Sequence, residues 1–458
     1  ALGVVFQSTS FRGWVIHDSA AEVVEERPDS VVLLKTPQFS GVLVVASQET
    51  LRSYPAKSQA MLKQNLPQTA RAAVLVEPGK PLECREFALP PLGAGDILVQ
   101  VTACSLCGSD LHTAHGRRPH PVPTILGHEI VGRIAAFGPG EPPRCVHGRP
   151  LEIGQRITWS VCASCGACDR CRQGMPQKCR HLVKYGHSPL ESKHGLSGGL
   201  ADLVQVFSGT AIMPLPDSLA DTAAVPASCA VATAAAIVRT VRQQLGISGL
   251  SGRGLADCTL VVLGAGMLGL SVASLLRAAG VGRLTLIDPV AARRERAVAA
   301  IAGAVTAAPP DRIDEEAIEM LRQAEPAEGH HEAFRPDGVD VVVEASGTAA
   351  SVSMAMELTA TGGICILAGS VSPSPGISFD PERIVRRQIT VQGVHNYLPE
   401  DLVTAVEHLA SPAGASLAAL AGPVFPIEQV NEALARAARP DALRVIVTPG
   451  PSEPRRSP

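Results

Sequence analysis

The chain has 458 residues, 46% hydrophobic and 18% charged, with a formal net charge of −3. One core rarely serves so long a chain, so two or three domains are expected. The mild acidity argues against nucleic-acid or membrane-surface binding driven by bulk charge. No apolar run reaches the roughly 18–20 residues that span a bilayer. The opening ALGVVFQSTSFRGW lacks the basic and apolar regions of a signal peptide, so a cytoplasmic location is expected.

Taken in chain order, residues 1–70 read as an extension without a chemical motif. VVLLK and GVLVVA suggest short strands there, and PAKSQAMLKQNL, residues 55–66, a short helix. From Arg71 to Cys229 the pattern is strand-rich. RAAVLVEPGKPLECREFALP and DILVQVTACSL carry apolar positions broken by Pro and Gly. Residues 230–395 alternate instead. TLVVLGAG, RLTLIDP, VDVVVEASG, GGICILAG and ITVQGV read as strands, with SVASLLRAAG and AARRERAVAAIAG as helices between them. Strand and helix in alternation imply βαβ units on a parallel sheet, so the expected fold class is α/β with a β-rich partner domain. The tail 450–458, GPSEPRRSP, is expected to be disordered.

In LVVLGAGMLG the glycines Gly264, Gly266 and Gly269 form G-x-G-x-x-G between an apolar strand and a helix. That context suits a dinucleotide. The first glycine makes the turn, the second admits the pyrophosphate to the helix N-terminus, and the third permits close packing. Asp288 ends the next strand and suits the ribose hydroxyls of NAD. The neighbouring Arg293 and Arg294 pull the other way, since arginine accepts the 2′-phosphate of NADP.

Twelve cysteines are present, and in a reducing compartment their Cys-x-x-Cys spacing suggests metal rather than disulfide. WSVCASCGACDRCRQGMPQKC places Cys162, Cys165, Cys168, Cys171 and Cys179 within one loop. Four thiolates close a tetrahedral zinc site, which is a structural one. Spacing alone leaves Cys162 in contention for one of the four places, and a four-cysteine iron–sulfur cluster is the second metal reading. A scattered set comprises Cys107, Ser109, Asp110 and His112 in CGSDLH, His128 and Glu129 in GHE, and Cys229 in ASCAVATAA. Two cysteines and one histidine would leave zinc a fourth, open position.

These stretches, in this order, resemble the medium-chain, zinc-dependent alcohol dehydrogenases from about residue 71 to 449. The resemblance implies a GroES-like catalytic domain over 71–229, a Rossmann NAD domain over 230–395, and a return to the catalytic domain over 396–449. It implies two zinc ions per chain and NAD as cofactor. Cys165, Cys168, Cys171 and Cys179 match the structural zinc, and Cys107, His128 and Cys229 the catalytic one, with Glu129 beside it. Asp110 is expected on His128, Ser109 and His112 in a proton relay, and Arg444 on the pyrophosphate. The implied reaction is NAD-linked oxidation of a small alcohol by a homodimer or homotetramer. Rival readings are a zinc-free reductase of the same fold and a zinc-ribbon nucleic-acid binder.

TWSVCASCGACDRC, MPQKC, KYGH and LSGG resemble, more narrowly, a subgroup associated with phosphonate catabolism. Arg117 and Arg118, between CGSDLH and GHE, suit a phosphonate through paired hydrogen bonds.

Overall fold

A computed structural model describes residues 67–246, 254–309 and 338–449, together with three strands nearer the N-terminus. Those strands, Glu22–Arg27, Val31–Lys35 and Val42–Val45, pair antiparallel in chain order and belong to a first compact unit, Ala1–Pro67. Two of them coincide with the expected VVLLK and GVLVVA. The helix expected over 55–66 and the tail 450–458 lie outside the described residues. Gln68–Pro458 form the second unit, which holds all the chemistry-bearing motifs.

The second unit contains two main sheets. One has eight strands and is largely antiparallel. Its central strand Ile97–Leu106 pairs with Glu129–Phe137 on one side and Val445–Thr448 on the other. Glu129–Phe137 pairs in turn with Arg156–Ala163. Ile97–Leu106 is almost wholly buried, which accounts for its near-continuous apolar sequence ILVQVTACSL. The strands Val424–Pro426 and Val445–Thr448 come from the end of the chain yet lie in this sheet.

The other sheet is six-stranded and wholly parallel. Its order is Val305–Ala307, Arg283–Ile287, Thr259–Leu263, Val339–Glu344, Thr359–Leu367, Thr390–Gly393. Five of these strands are legible in the sequence; Val305–Ala307, three residues long, is not. The order reverses between Thr259–Leu263 and Val339–Glu344, and in such sheets ligands bind outside the carboxyl ends of the strands at that reversal. The glycine turn lies there. The fold class is therefore the expected one, a β-rich body with a doubly wound α/β sheet.

Helix Ala230–Leu245 packs its many alanines into the same core as helix Met267–Ala278 and helix Pro399–Ala410. Arg239 binds Asp401 through two hydrogen bonds, at 2.9 and 2.8 Å, across two of these helices. Among the described residues no single helix is long and apolar enough to cross a membrane.

Candidate active site and metal centres

Helix Gly108–Ala114 starts directly after Cys107, at the end of the central strand Ile97–Leu106. Its buried Asp110 holds three neighbours at once. Oδ2 accepts from the Cys107 backbone N–H at 2.9 Å, while Oδ1 accepts from Gly127 N–H and His128 Nδ1, both at 3.2 Å. Fixing Nδ1 in this way presents Nε2 of His128 to a ligand. Cys229 caps helix Ala230–Leu245 from the other side. The ligand atoms of Cys107, His128 and Cys229 all lie within 4.8 Å of one another. Burial opposes charge on His128, but Asp110 and Cys107 outweigh it and lift its pKa to about 10. Of the two thiols, Cys107 is the one driven toward thiolate, first by its hydrogen bond with Cys229.

Ser109 Oγ sits 3.4 Å from His128 Nε2, so its hydroxyl faces the same space. His112 follows one helical turn later and is half-buried. Burial, and then Arg117, lower its pKa, which favours the neutral ring. Glu129 does not join the three ligands. Its fully buried carboxylate accepts from Ser105 Oγ and from Arg444. Arg444, matched in sequence to pyrophosphate binding, is thus held by Glu129 and Ser105, with its Nε buried and unpartnered. Breaking such a buried pair from one side costs about 3–5 kcal/mol.

The four sulfurs of Cys165, Cys168, Cys171 and Cys179 form the other group within 4.8 Å. Backbone N–H groups of Cys165 and His181 donate to Cys179 Sγ at 3.3 Å, and that of Cys168 to Cys165 Sγ at 3.4 Å. The Arg180 and Cys171 N–H groups pull the Cys168 thiol down to about 6. Sulfurs so clustered and so solvated by amides suit a tetrahedral thiophilic metal. Cys162 stands apart in strand Arg156–Ala163, where burial pushes its thiol up to about 11.

At the glycine turn, Gly264 has φ +105°, and a Cβ on Gly269 would lie 1.8 Å from the Gly264 carbonyl oxygen. A Cβ on Gly266 would meet nothing within 4 Å. That open space borders the N-terminus of helix Met267–Ala278, where a pyrophosphate fits. Asp288 is buried; it accepts from Ala265 N–H and Val290 N–H, both at 2.8 Å, and tethers the turn to the next strand. Arg293 lies 3.7 Å from its carboxylate and donates to Pro440 O, while Arg294 donates to the Asp288 carbonyl.

Arg117 is exposed. Arg118 is half-buried, and its Nη1 donates to His187 Nε2 at 2.9 Å. Sequence reasoning passed over His187 as a functional residue, and also Tyr397. The Tyr397 hydroxyl accepts from Val161 N–H at 2.9 Å and donates to Ser228 O, next to Cys229. Neither has a local signal beyond the KYGH match, because both act across the fold.

The profile of the alcohol dehydrogenase GroES-like domain matches residues 93–217, and that of the zinc-binding dehydrogenase matches 268–411. D-arabinitol dehydrogenase 1 of Uromyces fabae is 26% identical over 397 residues, which are 85% of this chain and 100% of that protein. The crystal structure of a Thermotoga maritima alcohol dehydrogenase superposes with a TM-score of 0.72 at 26% identity, covering 84% of this chain and 100% of that one. A candidate zinc-binding dehydrogenase from Sinorhizobium meliloti 1021, bound to NADP, gives a TM-score of 0.65 at 25% identity, again over 84% and 100%.

Proposed function

The chain belongs to the medium-chain, zinc-binding alcohol dehydrogenase family, and from that premise we propose that it transfers hydride between an alcohol and NAD. The carrying observation is the Cys107, His128 and Cys229 cluster with the Ser109 hydroxyl on its open side. Three protein ligands leave a fourth position for substrate, whereas the four-cysteine lobe is closed. We assign one catalytic and one structural zinc per chain. When bound, zinc supplies Lewis acidity to the alcohol oxygen, and NAD supplies the hydride acceptor.

The chain's own residues do the rest. Asp110 fixes the tautomer and direction of His128. Ser109 accepts the alcohol proton as it releases its own, and His112 is the group that delivers a proton to solvent. Glu129 and Arg444 hold the strand ends behind the cluster. The backbone N–H groups of the glycine turn receive the pyrophosphate, Arg444 Nε lends a donor to it, and Asp288 accepts from the adenosine ribose hydroxyls, which favours NAD. Residues 71–229 and 396–449 make up the catalytic body, 230–395 the NAD domain, and 1–70 an extension. The edge strand Thr390–Gly393, with Val385, Val391 and Phe379 exposed near it, supports assembly as a dimer or tetramer. The Cys-x-x-Cys spacing of the lobe, a metal rather than a disulfide pattern, supports a reducing compartment, the cytoplasm. For substrate, we propose an alcohol bearing a phosphonate.

The test is turnover of zinc-loaded protein with NAD and with NADP, on simple alcohols, polyols and hydroxyalkylphosphonates. We expect NADH formation with a higher kcat/KM for NAD, narrowed by Asp288→Gly. No nicotinamide reduction with any alcohol would reject the reading. A preference for NADP would move cofactor choice from Asp288 to Arg293 or Arg294.

A further inference from the structure

A group of cations beside the metal cluster lacks counter-charge. His187 links it to the cluster. Its ring centroid lies 5.2 Å from that of His128 and 5.4 Å from that of His120. Both of its nitrogens are committed. Nδ1 donates to Tyr185 O at 2.7 Å and Nε2 accepts from Arg118 at 2.9 Å. His187 is therefore a neutral prop that aims Arg118 without cancelling its charge. His120 Nε2 is buried with no partner.

Lys184 is the second cation. It ends the two-residue strand Val183–Lys184, paired to Arg156–Ala163 opposite Cys162. Among the described residues its ammonium makes no hydrogen bond or ion pair, and neither it nor Arg118 meets a carboxylate. Asp110 is engaged with His128, and Glu129 with Arg444. The Lys184 carbonyl accepts from His187 N–H at 3.2 Å, which sets Lys184 beside the histidine whose ring neighbours His128. Burial, and then Arg118, lower its pKa. Cys229, Cys162 and Cys107 pull the other way, but none of them is a carboxylate. What remains is two cations and one unpartnered imidazole, each with donors to spare.

We propose that Lys184, Arg118 and His120 form an oxyanion-binding wall beside the Cys107–His128–Cys229 cluster, which selects alcohols carrying a dianionic phosphonate or phosphate headgroup. Two cations match a dianion. The planar guanidinium, the ammonium and the imidazole N–H together offer a donor for each of three terminal oxygens. Arg117, exposed, stays outside the wall. This proposal rests on the dehydrogenase reading for what is turned over, but the wall can be tested without turnover.

The first measurement is the Kd of methylphosphonate and of inorganic phosphate for the metal-loaded wild-type chain, by calorimetry, with and without saturating NAD. Binding that persists with NAD bound supports a substrate subsite. Competition with NAD would assign these cations to the cofactor's phosphates and overturn the proposal. The second is the same titration on Lys184→Met and Arg118→Gln. Each should weaken binding about ten- to hundredfold, with Lys184→Arg recovering most of it. Unchanged Kd in both variants would overturn the proposal, as would the absence of wild-type binding. The third is the ratio of kcat/KM for a hydroxyalkylphosphonate to that for a neutral alcohol of equal length, which should collapse in Lys184→Met. Phosphonate binding without turnover of any alcohol would sink the dehydrogenase reading and leave the wall standing. Alcohol turnover in a chain blind to phosphonate would do the reverse.

Discussion

The two cysteine-bearing centres are built by opposite strategies. The four-sulfur lobe takes its ligands from one short loop, Cys165 to Cys179, and solvates them with that loop's own backbone amides. The open centre takes Cys107 from a strand end, His128 from a turn and Cys229 from a helix cap, and fixes them with side chains: Asp110 directly, and Tyr397 through Ser228. A closed loop can form its site locally and exert its effect as stability. An open site depends on the whole fold and keeps a vacant position for chemistry. The closed and the open centre thus separate along the chain, although both use cysteine.

Four substitutions would break or sharpen that contrast. Cys107→Ser removes a ligand from the open centre. It should cost about a thousandfold or more in activity and one of two bound zinc ions, with the circular dichroism of the parent. Full activity in this variant would dissolve the distinction. Cys171→Ser should act the other way. Thermal and denaturant unfolding should show a loss of about 3 kcal/mol or more, while the zinc remaining by elemental analysis is the catalytic one. If activity vanished with stability intact, the lobe would be more than a clamp.

Asp110→Asn tests how far the open centre relies on a side-chain prop. Activity and zinc affinity should both fall about ten- to hundredfold, with the lobe's zinc retained in a competition against chelator. The smallest effect is expected from Cys162→Ser. Its neighbours lose one buried thiol for a hydroxyl, so stability should change by about 1 kcal/mol or less and both zinc ions should stay. Loss of one zinc here would place Cys162 among the four ligands.

The same contrast explains what was legible beforehand. Features closed within a few residues could be read directly: the lobe's spacing, the glycine turn, and five strands of the parallel sheet. Cys162 stayed undecided because it continues the two-residue spacing. Only the strand Arg156–Ala163 takes it away from the loop and into the core. Val305–Ala307 is too short to carry a period. The Glu129–Arg444 pair joins residues 315 apart. Its one trace is a charge set against the apolar run VIV, which sequence alone does not pair with anything. Lys184 and His187 belong to a motif that sequence could match but not place, since their meaning lies in what Arg118, His120 and His128 bring to them.

The pairing of Val445–Thr448 with Ile97–Leu106 sets an order of events during synthesis. Ser105 and Arg444 are 339 residues apart, yet they share one hydrogen bond two positions before Cys107. Strand Val445–Thr448 is also one of the flanks of Ile97–Leu106. On a ribosome, Cys107 and His128 emerge early, but the buried Glu129 that follows His128 has no cation until residue 444 follows. The four-cysteine lobe can take up a metal while translation continues. The open centre acquires that support only once strand Val445–Thr448 is available to pair with Ile97–Leu106, so its ligands are ordered later than those of the lobe.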